Sequence, residues 1–290
     1  MKETLSIVKR KVIVFYQSLK DSLLQGLPLI CPRSFILYIK QVHKMTVRVN
    51  GIEEDIYLRI ESSQDISRAK GCVKEPGTVQ WIRDYIKPDS VLYDIGANVG
   101  VFSLLASKQC QQAIKIYAFE PSFSTFPHLV FNILENGFEK NITPIAHPLS
   151  DKTGLFNFNY ISLEPGTSLH SVDNKDFRGD VFSPVFQTQA FSFTLDDFIY
   201  EYGAQCPTHI KLDVDGAEHK ILKGAQKLLA DPTLRGIIVE ICQENEDSMK
   251  IKEYLESYGF KNKHRFNHIY GEANKTYTND RFIDYVFERA

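Results

Sequence analysis

The chain has 290 residues, 43% of them hydrophobic and 24% charged, with a formal net charge of −2. That length holds one large α/β domain with an appendage or two small domains, and the near-neutral charge excludes the broad basic field of a nucleic-acid binder. Five cysteines (Cys31, Cys72, Cys110, Cys206, Cys242) are scattered and never form C-x-x-C, which fits reduced thiols in a cytoplasmic protein and gives no cysteine metal site.

Residues 1–43 set Lys2, Lys9, Arg10, Lys11 and Lys20 among Ile7, Val8, Val12, Ile13, Val14, Phe15, Leu19 and Leu23. The pattern predicts a partly amphipathic helix. Charges interrupt any secretory core, and no run is long enough to span a membrane. The helix packs on the main domain, or residues 1–25 serve as a peripheral contact with a membrane surface or a partner. Asn50-Gly51 between alternating residues predicts a β-hairpin over 44–60. The segment 61–77 is polar and without period. The domain boundary therefore falls near residue 70: 1–70 hold the helical segment and hairpin, and 71–290 the main domain. A helix over 78–86 buries Val79, Ile82 and Ile86 and stops at Pro88-Asp89.

From Ser90 strands and helices alternate. Strands are expected at 90–95, 113–119, 142–146, 209–213 and 236–242, with helices at 99–109, 122–136, 195–202, 217–229 and 247–258. Residues 155–161 and 187–194 read as a strand pair flanking an irregular loop at 162–184. Two strands, 260–269 and 282–287, close the chain. Helices between short apolar strands predict an α/β fold, a parallel sheet covered on both faces, with ligands at the strand carboxyl ends.

The chemistry concentrates in Val91-Leu-Tyr-Asp-Ile-Gly-Ala-Asn-Val-Gly-Val-Phe102, a strand, a glycine turn and a helix start. That corner binds nucleotides. Its glycines do not fall as G-x-G-x-x-G, and Asp94 would repel a pyrophosphate. S-adenosylmethionine carries a sulfonium and an ammonium instead, which an acid there favours. Glu120, ending Ile114-Lys-Ile-Tyr-Ala-Phe-Glu120, is spaced to hold both ribose hydroxyls. The cofactor set is therefore Asp94 toward the ammonium, Gly96, Ala97, Asn98 and Gly100 as main-chain floor, and Glu120 on the ribose. Ser122 opens the next helix. Leu149, Ser150 and Asp151 meet the adenine after the third strand.

A second constellation is Ile210-Lys-Leu-Asp-Val-Asp-Gly-Ala-Glu218. Asp213 leaves a buried strand beside the cofactor corner. Asp215 and Glu218 sit near a helix start, where acids cap. An alcohol acceptor needs a group to take its proton. Asp213 is the first candidate as base or orienting group, with His170 on the irregular loop and His219 as alternatives. Asp213 with Glu240 would suit magnesium. Two acids on separate strands do not establish an ion, and no metal is assigned.

D-I-G-A-N-V-G, A-F-E-P, T-L-D-D-F at 194–198 and I-K-L-D-V-D-G-A-E with I-L-K-G-A resemble the FkbM-type methyltransferases, over roughly residues 75–242. The family usually has Glu where this chain has Asp215. The resemblance implies a Rossmann-like, seven-stranded class I methyltransferase sheet with the last strand antiparallel. It also implies S-adenosyl-L-methionine as donor and a hydroxyl of a sugar, glycolipid or natural product as acceptor. The alternatives are N-methylation of a protein or small molecule, and a non-catalytic scaffold.

Overall fold

The computed structural model describes residues 45–168, 170–172, 178, 180–272 and 275–289. The helix expected over 1–25 lies outside them. Strands β1 (Thr46–Arg48) and β2 (Tyr57–Arg59) pair antiparallel, so the hairpin exists, but Asn50-Gly51 is not its tight turn. Residues 49–56 instead fold inward and bury Val49, Ile52 and Ile56. Asn50 donates its N–H to Ala69 at 2.8 Å, outside the hairpin. Burial of apolar side chains outweighs the local turn preference.

The aperiodic segment 61–77 contains two short helices, α1 (Ser63–Arg68) and α2 (Gly71–Lys74). Capping, rather than an apolar stripe, makes α1. The Ser62 hydroxyl accepts from the Asp65 N–H, and Asp65 accepts from the Ser62 N–H. Asp65 also meets His128 Nδ1 at 3.0 Å. Helix α3 (Pro76–Tyr85) starts on a proline at its first turn.

The main sheet has seven strands: β3 (Val91–Ile95), β4 (Lys115–Phe119), β5 (Ile142–Ile145), β8 (His209–Leu212), β9 (Gly236–Cys242), β10 (Phe260–Glu272) and β11 (Lys275–Arg289). Their order is β10-β11-β9-β8-β3-β4-β5. The pairs among β5, β4, β3, β8 and β9 are parallel, while β11 runs antiparallel to both β9 and β10. This is the class I methyltransferase arrangement with its antiparallel final strand. The separate pair β6 (Gly154–Tyr160) and β7 (Phe186–Ser192) is antiparallel, as its alternating residues predict.

Side-chain alternation divides the core between the two faces. Leu92, Ile116, Ala118 and Ile238 pack with α3, α4 (Val101–Gln109) and α5 (Phe126–Asn136). Val91, Tyr93, Ile95, Ile210, Leu212 and Val239 pack with α6 (Leu195–Tyr200), α7 (Glu218–Lys223), α8 (Gln226–Ala230) and α10 (Ile251–Ser257). The hairpin shares the first of these cores, and Thr46–Ala290 form one compact unit. Asn132 and Asn136 of α5 bond the β2 backbone at Arg59 and Tyr57.

The helix expected over 217–229 is two helices broken at Gly224. A Cβ there would stand 2.3 Å from the Ser150 carbonyl oxygen, so glycine permits the close approach. The helix expected over 247–258 is likewise split into α9 (Glu246–Met249) and α10. Among the described residues, no helix is long and apolar enough to cross a membrane.

Candidate active site

A cleft opens where the parallel strands end. Its wall includes Gly96 after β3, Glu120 after β4, Leu149 after β5, Asp213 after β8 and Glu240 in β9. The strand order reverses between β3 and β8, and ligands bind at such switch points. Loop residues Thr167, Ser168 and His170 cover the other side. That loop is tethered: Arg68 donates to the Gly166 carbonyl at 2.8 Å, and Gly166 donates to the Thr125 hydroxyl at 3.1 Å.

The glycine turn is built for close approach. Gly96 has φ +82°, and a Cβ there would stand 1.7 Å from the Asp213 carbonyl oxygen. Asn98 is left-handed too, at φ +51°, and lines the cleft. Gly100 and Ala97 are not among the residues that line the cleft. Gly100 backs onto Leu129, where a Cβ would meet Cδ1 at 2.7 Å, and Ala97 is buried in the core.

Glu120 is fixed from behind. Its Oε2 accepts the Asn98 N–H at 3.0 Å, and its Oε1 accepts the Ser122 N–H at 2.9 Å. Burial pushes the carboxyl up to about 7, against the pull of these two donors. Ser122 therefore acts through its main chain. It is wholly buried, and α5 begins later, at Phe126.

Asp94 does not face the cleft. It is 1% exposed, accepts the Ser103 hydroxyl at 2.6 Å and stands 3.7 Å from the Lys211 ammonium. Sheet register explains this, because Asp94 and Lys211 are direct partners across β3 and β8. The same ammonium lies 3.2 Å from Asp213 Oδ2. Lys211 thus joins the two acids that the sequence singled out. Burial alone would lower the lysine, but Asp213 and Asp94 carry it above its ordinary value. Burial works to raise Asp213, but the Lys211 ammonium and neighbouring His268 and Lys74 hold it below the usual carboxylate range. A carboxylate so paired orients a hydroxyl better than it removes a proton.

His170 has the opposite character. Its ring lies tilted against Tyr160 and Phe158, with centroids 4.9 and 6.1 Å away, and His170 and Phe158 line the cleft. Both ring nitrogens are buried with no hydrogen-bond partner among the described residues. Burial pushes its pKa down to about 4, so the imidazole is neutral at neutral pH. His219 is elsewhere: it sits on α7 with Nε2 3.8 Å from Asp247, away from the lining. Leu149 lines the cleft, but Ser150 and Asp151 do not. Ser150 is buried, gives its N–H to Phe193 at 2.9 Å and its hydroxyl to Asp151 at 3.2 Å. The turn they form supports the wall from behind. Glu218 pulls the 214–216 turn together by accepting from the Val214 and Gly216 N–H groups, each at 3.0 Å.

Lys74, Glu75 and Glu240 also line the cleft. Burial, then Asp213, raises the pKa of both Glu75 and Glu240. Sequence reasoning gave Lys211 no role, yet its signal was present: it faces the same side as Asp213 by the two-residue period of a buried strand. His268 and Asp284, beside Glu75 and Glu240, carried no local motif.

Residues 94–261 match the family model of the methyltransferase FkbM domain. The chain belongs to this family. This FkbM-family protein is 25% identical over 186 residues to the hexuronic acid methyltransferase AglP of Haloferax volcanii, covering 63% of this chain and 68% of that protein. It is 23% identical over 199 residues to the 31-O-demethyl-FK506 methyltransferase FkbM of Streptomyces tacrolimicus, covering 60% and 74%. The crystal structure of the methyltransferase FkbM from Methylobacillus flagellatus superposes with a TM-score of 0.46 at 15% identity, over 70% of this chain and 44% of that one. The protein is a methyltransferase that uses S-adenosylmethionine. The cleft fits that donor: Gly96 lets the turn pack against the Asp213 main chain at the cleft edge, Glu120 offers a fixed carboxylate for hydroxyls, and the acids along the lining suit a cation.

Proposed function

We propose that this methyltransferase alkylates a hydroxyl oxygen on a sugar, a glycolipid or a natural product. The observation that carries the reading is His170, a neutral, unpartnered imidazole in an apolar stretch of the cleft wall. The imidazole is the free base at neutral pH; burial that disfavours imidazolium makes it a weak base, so it receives the proton as the alkylated oxygen becomes acidic, while Asp213 is already paired with Lys211. Two relatives support the acceptor class, one named for hexuronic acid and one for 31-O-demethyl-FK506.

Glu120 would hold the ribose hydroxyls, Gly96 and Asn98 the methionine portion, and Leu149 the adenine face. When bound, S-adenosylmethionine supplies an electrophilic methyl group on a leaving sulfonium. The residues do the rest. Asp213 orients the acceptor hydroxyl, His170 takes its proton, and Thr167, Ser168 and Val172 beside it help keep water out.

The test is a pair of measurements on His170→Gln. Donor affinity by calorimetry should be unchanged, while turnover with a uronic-acid glycan should fall by about 10²–10⁴-fold. Wild-type turnover in the variant removes His170 as the base.

A further inference from the structure

A second cluster of ionisable groups reaches the cleft through Glu75. Glu75, His268 and Asp284 come from three places: the junction of α2 and α3, β10, and β11. They are only 7%, 2% and 5% exposed. One side-chain oxygen or nitrogen from each lies within 4.8 Å of the others. His268 Nε2 stands 3.1 Å from Asp284 and 3.6 Å from Glu240.

Packing alone does not account for this group. Asp284 and Glu240 are direct partners across β11 and β9. Like charges directly opposite on neighbouring strands are unfavourable. The β10–β11 register slips between Asn267 and His268, and an irregularity of that kind re-aims a side chain. Here it turns the imidazole onto the acids. Nε2 is the nitrogen turned to the acids, while Nδ1 is buried with no hydrogen-bond partner among the described residues. The imidazole brings at most one positive charge, and Lys74 stands 3.8 Å from Glu75. Asp213 adds another acid nearby, itself paired with Lys211.

We propose that Glu75, His268 and Asp284 bind one divalent cation of the manganese or magnesium class, with Glu240 in reach as a fourth ligand. The ligand chemistry is one imidazole nitrogen with carboxylate oxygens from separate elements. Such a set suits manganese, and magnesium less well, since magnesium prefers oxygen alone. Glu75 and Glu240 line the cleft, so an ion held between them borders it. The proposal concerns the resting protein and does not depend on what the acceptor is.

The experiment uses the full chain, stripped with a chelator and titrated with manganese chloride alone, with free ion counted by electron paramagnetic resonance. One ion should bind per chain. The spin-echo spectrum of the bound ion should show nitrogen modulation from one imidazole. His268→Ala should remove that modulation and weaken binding by about tenfold or more. The unaltered protein's spectrum decides the matter even if the variant folds poorly. Absence of stoichiometric binding overturns the proposal. So does an ion bound without nitrogen modulation, which would place it on Asp213, Asp215 and Glu240. Neither result bears on the acceptor hydroxyl, because no donor or acceptor is present.

Discussion

Removing the Glu120 carboxylate separates donor recognition from the rest of the fold. In the structure, main-chain N–H groups of Asn98 and Ser122 hold its two oxygens in place. Two ribose hydroxyls would each add a charge-assisted hydrogen bond of about 1.5–3 kcal/mol. Glu120→Ala should therefore cost about 3–6 kcal/mol of donor binding, roughly 10²–10⁴ in Kd. It also strands those two N–H donors, so the melting temperature should fall, and affinity must be read where the variant is folded. Burial sets a pH signature as well. With its pKa pushed up to about 7, Glu120 is protonated in the free protein below that pH, and charge-assisted binding must expel the proton. Donor affinity should rise with pH up to about 7 and level off above it, by as much as about tenfold per unit below. The variant should lose that slope. Equilibrium dialysis with labelled S-adenosylmethionine across pH reads both effects. Unchanged affinity in a folded variant, or an unchanged slope, would refute the ribose assignment.

Further outcomes follow from the same geometry. Gly96→Ala places a Cβ against the Asp213 carbonyl at a positive φ, and should destabilise by at least about 1–3 kcal/mol in urea unfolding while abolishing donor binding. Lys211→Met leaves Asp94 buried without its cation and should cost about 3–5 kcal/mol, with the double variant Lys211→Met/Asp94→Asn recovering much of it. A double variant no more stable than the single one would contradict that pairing. Asp213→Asn should keep donor affinity and lower turnover, less severely than His170→Gln. The reverse ranking in steady-state kinetics would make Asp213 the base.

The sheet was legible because its strands are short apolar runs between helical periods, and Val91 to Ile95 and Gly236 to Cys242 fall where that pattern puts them. The misplaced elements are those decided by tertiary contact. Asn50-Gly51 reads as a hairpin turn, but Ile52 and Ile56 have a core to enter. Gly224 breaks a helix because the Ser150 carbonyl needs its space. Helix α1 has no apolar stripe to announce it, only a cap and a buried acid held by His128. In the site, Glu120 and Gly96 could be read from spacing, since strand, turn and helix are contiguous in the chain. Asp94 could not be oriented without Lys211, which approaches from a strand far along the sequence. His268 meets Asp284 and Glu240 beside a local slip in register, which leaves no mark in composition or period.

The atom that receives the methyl group distinguishes hydroxyl from nitrogen or carboxylate acceptors. Incubating the protein with deuteromethyl-labelled donor and a set of uronic-acid and deoxysugar glycans, followed by mass-spectrometric location of the label, would show it. The prediction is an alkali-stable methyl ether on a sugar hydroxyl, formed by the unaltered protein and lost in His170→Gln. Label on an amine nitrogen, or as an alkali-labile methyl ester, would contradict it.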